Sequence, residues 1–158
     1  MALDLTILVG TMTSTVDLVA QAVQLAAEDD DVRISIKAMD GLDASAFAGG
    51  GLYLICTSTY GQGDVPDNAK GLYASLQSTR PDLANVEYGV IALGDRTYAE
   101  TFCFGGKRFD DLLAQLGARR VGQVFRHDAS AGTMPEELAA EWMLGWMESV
   151  KAGRALAA

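Results

Sequence analysis

Apolar and polar positions change rhythm several times along this chain. Leu5-Thr6-Ile7-Leu8-Val9-Gly10 is a short apolar run ending on glycine, the mark of a buried strand. From about Ser14 to Glu28 the pattern turns helical, with Leu18, Val19, Ala22, Val23 and Ala26 recurring at helical spacing, and Glu28-Asp29-Asp30-Asp31 closes the helix as a solvated turn. Val32 to Ala38 alternates, with Val32, Ile34 and Ile36 on one face, and reads as a strand. Asp40 to Gly51 is a glycine-rich connection with room for one helical turn. Leu52-Tyr53-Leu54-Ile55-Cys56 is a third strand, followed by a loop from Thr57 to Val65. A helix starts near Pro66, where proline suits the first turn, and carries Leu72, Tyr73 and Leu76. Val86 to Leu93 is the fourth strand, ending at Gly94-Asp95. A long loop leads to a helix near Gly106, striped by Phe109, Leu112, Leu113 and Leu116 and capped by Gly117. Arg120 to His127 reads as the fifth strand, and the last helix runs from about Pro135 to Lys151.

Strands that alternate with helices predict a parallel sheet covered on both faces. Five such units suit an α/β doubly wound sandwich with strand order 2-1-3-4-5, formed by one domain over residues 1–158. In such folds ligands bind beyond the carboxyl ends of the strands, at the switch point between the first and third. The loops after Val9, Cys56 and Leu93 are therefore the places to look for chemistry.

Composition narrows the field. Hydrophobic residues make up 49% and charged residues 21%, a globular balance. Mean hydropathy is +0.13, yet no apolar run approaches the ~20 residues that span a bilayer. Met1-Ala2-Leu3-Asp4 has no basic region, so a signal peptide is not expected. Two cysteines, Cys56 and Cys103, make no disulfide framework, and a reduced, cytoplasmic protein is expected. The net charge of −9 argues against nucleic acid and anionic membranes as partners. It favours a basic docking site on another protein, with plain solubility as the alternative.

The first loop offers Thr11, Met12, Thr13, Ser14, Thr15 and Val16 between a strand and a helix. The helix's unpaired N–H groups and dipole attract a phosphate, and the hydroxyls add neutral donors; a run of N-capping residues is the competing reading. A P-loop would need Gly-Lys-Ser/Thr, and a dinucleotide loop G-x-G-x-x-G; neither is present. A phospho-receiver would carry acids after the first and third strands, where this chain has Val9-Gly10 and Cys56-Thr57. The second loop contains Ser58, Thr59, Tyr60, Gly61 and Gly63, the glycines freeing the backbone to approach a ligand. The third contains Leu93, Gly94, Asp95, Tyr98, Phe102 and Cys103. Tyr60 and Tyr98, from separate loops at one end of the sheet, can sandwich a flat heterocycle beside the phosphate nest; simple packing is their other reading. Together these features fit a flavin mononucleotide. No metal ligands and no catalytic residue are expected: His127, the single histidine, lies at a strand end opposite no obvious acid. Trp142 and Trp146 read as core anchors, or else as an exposed partner patch.

At this point the loops resemble those of the flavodoxin-like family. Thr59-Tyr60-Gly61-Gln62-Gly63-Asp64-Val65-Pro66-Asp67-Asn68 resembles the second FMN loop of diflavin reductases and of short MioC-type flavodoxins. Leu93-Gly94-Asp95 with Tyr98 and Phe102-Cys103 resembles their third loop, and Leu113-Ala114-Gln115-Leu116-Gly117-Ala118-Arg119-Arg120 a later helix and turn. Three departures stand out: Ser14 where the family usually has Gly, Val16 where it often has Thr, and a wider spacing of Tyr98 from Phe102. The resemblance implies FMN as cofactor and one-electron shuttling of low-potential electrons. Donor would be an NADPH-dependent flavodoxin- or ferredoxin-type reductase, with acceptor redox proteins beyond it. It implies a monomer, with Tyr98 stacked on one flavin face, Tyr60 over the other and the Gly61 carbonyl near flavin N5. Asp64, Asp67, Asp95 and Glu100 would crowd the rim, with Arg96 turned to solvent. One carboxylate ~10 Å away, at an effective dielectric of ~20, disfavours an added negative charge on the flavin by roughly 1.7 kcal/mol. A small flavin-dependent quinone reductase, a non-redox flavin-binding regulatory module and an excised FMN domain of a longer reductase are the alternatives.

Overall fold

The computed structural model describes residues 3–11, 15–59, 65–94, 103–128 and 131–157, of which 15 and 154–157 by backbone alone. Their elements follow in the order β1 (Leu3–Gly10), α1 (Thr15–Ala27), β2 (Val32–Ala38), a 3-10 turn (Ala44–Phe47), β3 (Gly51–Thr57), α2 (Asp67–Thr79), β4 (Val86–Gly94), α3 (Phe104–Gln115), β5 (Arg119–Arg120), β6 (Phe125–Asp128) and α4 (Pro135–Ala157). The sheet runs β2-β1-β3-β4-β5, with β6 also on β4, and every named pairing is parallel. This is the doubly wound order 2-1-3-4-5 expected from the alternation.

Alternation along the central strands explains the two layers. Leu5, Ile7 and Val9 of β1 join a core with Val16, Val19 and Val23 of α1 and Met143, Trp146 and Val150 of α4. Leu8, pointing the other way, joins a second core with Leu72 and Leu76 of α2 and Phe109 and Leu113 of α3. Strands buried on both faces read as continuous apolar runs, as Leu52–Cys56 does.

One element departs from expectation. The strand expected over Arg120–His127 is split into β5 and β6, with 121–124 outside the sheet. Gly122 takes φ +67°, which ends an extended run, and the Trp146 indole N–H donates to the Val121 carbonyl at 2.9 Å, occupying the break. Gly89 in β4 makes room for that indole, since a Cβ there would lie 2.6 Å from it. Trp146 is thus a buried anchor, and Trp142 stacks on it at 5.8 Å, partly covered. In α1 the buried stripe is Val16, Val19, Ala20, Val23 and Ala27, with Leu18 and Ala26 turned to solvent, and other differences are shifts of termini. α3 opens at Phe104 rather than near Gly106, α4 runs past Lys151 to Ala157, and Gly117 (φ +99°) sits just beyond the Leu116 cap.

Candidate cofactor site

The register places three strand ends side by side: Gly10 is opposite Thr57, and Thr57 opposite Ala92. β1 is flanked by β2 on one side and β3 on the other, so the switch point lies above the β1–β3 boundary. The first, second and third loops leave the sheet at that edge.

Their described roots are bound to one another. The Ser58 N–H donates to the Gly10 carbonyl at 3.1 Å, which carries the β1–β3 ladder into the loops. Gly10 is glycine because a Cβ would sit 2.9 Å from both the Thr57 hydroxyl oxygen and the Met39 sulfur. Thr57 is fully buried, and its hydroxyl donates to the Ser58 carbonyl at 3.1 Å. Thr59 joins the second loop to the third: its hydroxyl donates to the Leu93 carbonyl at 3.2 Å and accepts from the Gly105 N–H at 3.0 Å. Asn68, one residue into α2, accepts from the Thr11 N–H at 2.8 Å and donates to the Val9 carbonyl at 3.3 Å.

The third loop has a narrow neck. Cys103, at φ +57°, is the N-cap of α3, and its thiol donates to the Ala92 carbonyl at 3.4 Å. A Cβ on Gly94 would lie 2.6 Å from the Cys103 nitrogen, so the two ends of the loop touch. The Cys103 thiol also lies 3.8 Å from the His127 carbonyl, and the buried His127 ring pairs with the Thr133 hydroxyl at 2.9 Å. Away from the loops, burial pushes the Cys56 thiol far above its ordinary range, with the Asp17 carboxylate adding to the effect, so Cys56 stays protonated and inert.

Of the residues expected to hold a cofactor, Thr11, Ser58, Thr59, Leu93, Gly94 and Cys103 are brought together at this edge. Thr15 opens α1, and Val16 is fully buried in the core beneath it, so Val16 can offer a ligand only its backbone. Leu93 is likewise buried, with its carbonyl taken by Thr59. Met12, Thr13, Ser14, Tyr60, Gly61, Gly63, Asp95, Tyr98 and Phe102 lie outside the described residues, as do Asp64, Arg96 and Glu100. Sequence reasoning passed over Thr57, Asn68 and Gly105 as site-shaping residues. For Thr57 and Gly105 the signal is the crowding of Gly and small polar residues at strand ends, and for Asn68 its place in the second-loop motif.

Fold and loop roots together define a doubly wound α/β protein whose first, second and third loops meet over the carboxyl ends of β1, β3 and β4. The flavodoxin family model matches residues 7–142, and the chain belongs to the flavodoxin family. It is 30% identical to Protein MioC of Escherichia coli (strain K12) over 148 residues, 94% of this chain and 99% of that one. It is 38% identical to the sulfite reductase [NADPH] flavoprotein alpha-component of Vibrio vulnificus, over 93% of this chain but 23% of that longer protein. Among solved structures, a cysteine-to-serine mutant of flavodoxin from Pseudomonas aeruginosa superposes with a TM-score of 0.82 at 32% identity, covering 94% of this chain and 99% of that one.

The family's cofactor is FMN, and the residues present suit it. The first loop leads from buried Gly10 to the N-terminus of a 13-residue helix, the arrangement that draws a phosphate to backbone N–H groups. Ser58, Thr59 and Asn68 tie the three loop roots into one edge, as a single cofactor shared by all three loops requires.

Proposed function

We propose that this chain is an FMN-binding one-electron carrier, passing low-potential electrons from a reductase to acceptor proteins. The observation that carries the reading is the lacing of the three loop roots over the β1–β3 switch point by Asn68, Ser58 and Thr59. Bound FMN supplies the redox chemistry, taking up and giving electrons one at a time. The chain's part is to hold and tune it. Residues 11–16 receive the phosphate with neutral donors. Tyr98 and Tyr60 cover the ring faces, and the Gly61 carbonyl meets flavin N5. Asp95, Phe102 and Cys103 shape the third loop beside the ring, and Gly63 lets the second loop turn. Carboxylates at the rim make the final electron strongly reducing, because each disfavours a negative flavin.

The donor is an NADPH-dependent reductase of the flavodoxin or ferredoxin type. Support comes from the likeness to an [NADPH] flavoprotein component, in which a domain like this one is part of a longer chain. The carrier works as a monomer in the cytoplasm. Among the described residues no helix is long and apolar enough to cross a membrane. The test is anaerobic photoreduction followed by visible spectroscopy, with chromatography of the heat-released cofactor. FMN and reduction in two resolvable one-electron stages are expected. Mainly FAD, or no flavin after reconstitution, would overturn the reading.

A further inference from the structure

The Asn68 side chain joins three segments that are far apart in the chain. Its Oδ1 accepts from the Thr11 N–H at 2.8 Å, while its Nδ2 donates to the Val9 carbonyl and to Asp40 Oδ2, each at 3.3 Å. Thr11 opens the first loop, Asp40 follows the end of β2, and Asn68 lies in the first turn of α2.

We propose that Asn68 is a positioning residue for the phosphate-binding loop, and that Asp40 sets the orientation of its amide. The proposal rests on the reading of the first loop as the phosphate site. An asparagine amide is an acceptor at one end and a double donor at the other, and it can turn over. A carboxylate only accepts, so Asp40 takes the Nδ2 end, and the Val9 carbonyl takes the same end. Oδ1 is then left facing the Thr11 N–H, across 57 residues of chain. The first backbone amide of the loop is thereby fixed before α1 begins at Thr15.

This matters more here than in a loop carrying Lys or Arg. Residues 10–17 contain no cation. Neutral donors act through direction at hydrogen-bond range, so a loop that points elsewhere gains nothing from long-range attraction. Holding the loop in its bound shape beforehand removes an ordering cost that phosphate binding would otherwise meet. On the other side of the loop root, the Ser58 N–H grips the Gly10 carbonyl at 3.1 Å. Asn68 thus holds Thr11 while Ser58 holds Gly10, and the loop leaves the sheet from two consecutive fixed residues.

The experiment titrates the full-length, flavin-free chain with FMN and with riboflavin, which lacks the phosphate. The parent should prefer FMN. Asn68→Ala should lose about five- to tenfold in FMN affinity and less than about twofold for riboflavin. Asp40→Ala should weaken FMN in the parent but not in the Asn68→Ala background, which a double-mutant cycle reads directly. Equal loss for both flavins, no loss, or zero coupling, in a parent that still prefers FMN, overturns the positioning role and leaves the phosphate reading standing. A parent that binds the two flavins alike overturns the phosphate reading and this proposal with it. Should Asn68→Ala not fold, hydrogen exchange at the Thr11 amide in Asp40→Ala decides: faster exchange than in the parent supports the proposal, and unchanged exchange overturns it.

Discussion

Tyr88 shows how much one side chain can hold. It is fully buried on β4, and its hydroxyl donates to Asp110 Oδ1 at 2.6 Å and to the Asp110 carbonyl at 3.0 Å. Asp110 in turn accepts from Arg120 at 2.5 Å, and Arg120 Nε donates to the Gly122 carbonyl at 3.1 Å. A strand, a helix and the break in the fifth strand are joined by one phenol and one carboxylate. Burial, and then the hydrogen bond to Asp110, hold the Tyr88 phenol well above its usual range. Burial raises the Tyr53 phenol as well. A group whose pKa is raised in the fold stabilises it fully below the unfolded pKa, and that contribution is lost as pH climbs past it. The unfolded thiol of Cys56 titrates near ~8.5 and unfolded tyrosines near ~10, so stability should decline above about pH 8.5 and faster above about 10. Tyr88→Phe removes one phenol and its bond to Asp110. Urea unfolding from pH 7 to 11 should show a loss of about 1–3 kcal/mol at neutral pH and a flatter alkaline limb. A limb as steep as the parent's would assign the alkaline loss to other groups.

At the scale of elements, glycines decide how closely α3 approaches the sheet. A Cβ on Gly105 would fall on the Ser58 carbonyl oxygen, and one on Gly106 would lie 2.5 Å from the Ala92 Cβ. Helix propensity alone would reward Ala over Gly by up to ~1 kcal/mol, whereas forcing a methyl into a packed contact costs ~1–3 kcal/mol. Gly105→Ala should therefore destabilise the chain and weaken flavin binding, because it pushes α3 off the Thr59 anchor. Gly71→Ala and Gly145→Ala are the matched controls: both are exposed helical positions where a Cβ meets nothing within 4 Å. Each should raise the melting temperature, by up to ~1 kcal/mol of stability; a stabilised Gly105→Ala would remove the close-approach argument. The same contrast explains what could be read from the chain. Runs such as Leu52–Cys56 and the stripe Phe109–Leu116 revealed strands, helices and their order, because burial on defined faces imposes a period. The break at Gly122 inside Arg120–His127 escapes a reading by pattern, because it depends on Trp146 filling the gap from α4. Asn68 was legible only as part of a loop motif, since a bond to a residue 57 positions earlier leaves no periodic trace.

At the scale of the whole molecule, charge is the property a partner meets first. Five of the described cations, Arg33, Lys70, Lys107, Arg119 and Arg120, are engaged locally with Asp4, Asp67, Asp111, Glu87 and Asp110. The exposed pairs among them add little stability, and since each pair takes up one acid with one base, the net charge of −9 is left unchanged. The field reaching a partner is therefore negative. Asp67, at the start of α2 where the second loop ends, is 3.1 Å from Lys70, so within its own neighbourhood it is partly balanced. A reductase that donates electrons should approach with Lys and Arg, through a contact below roughly 1,200 Å² that forms and breaks quickly. Its second-order rate of reducing the flavin should fall as salt rises, because the Debye length contracts toward ~8 Å at physiological ionic strength. Replacing Asp64 and Asp67 together by Asn makes the cofactor end less negative and removes the Asp67 carboxylate from beside Lys70. The rate at low salt should drop and its dependence on salt should flatten. We propose that these carboxylates face the partner rather than the phosphate, so FMN affinity should change little. Stopped-flow reduction by a flavodoxin reductase across ionic strength reads all three quantities. A parent rate that ignores salt, or rises with it, would remove electrostatic docking while leaving the flavin site untouched.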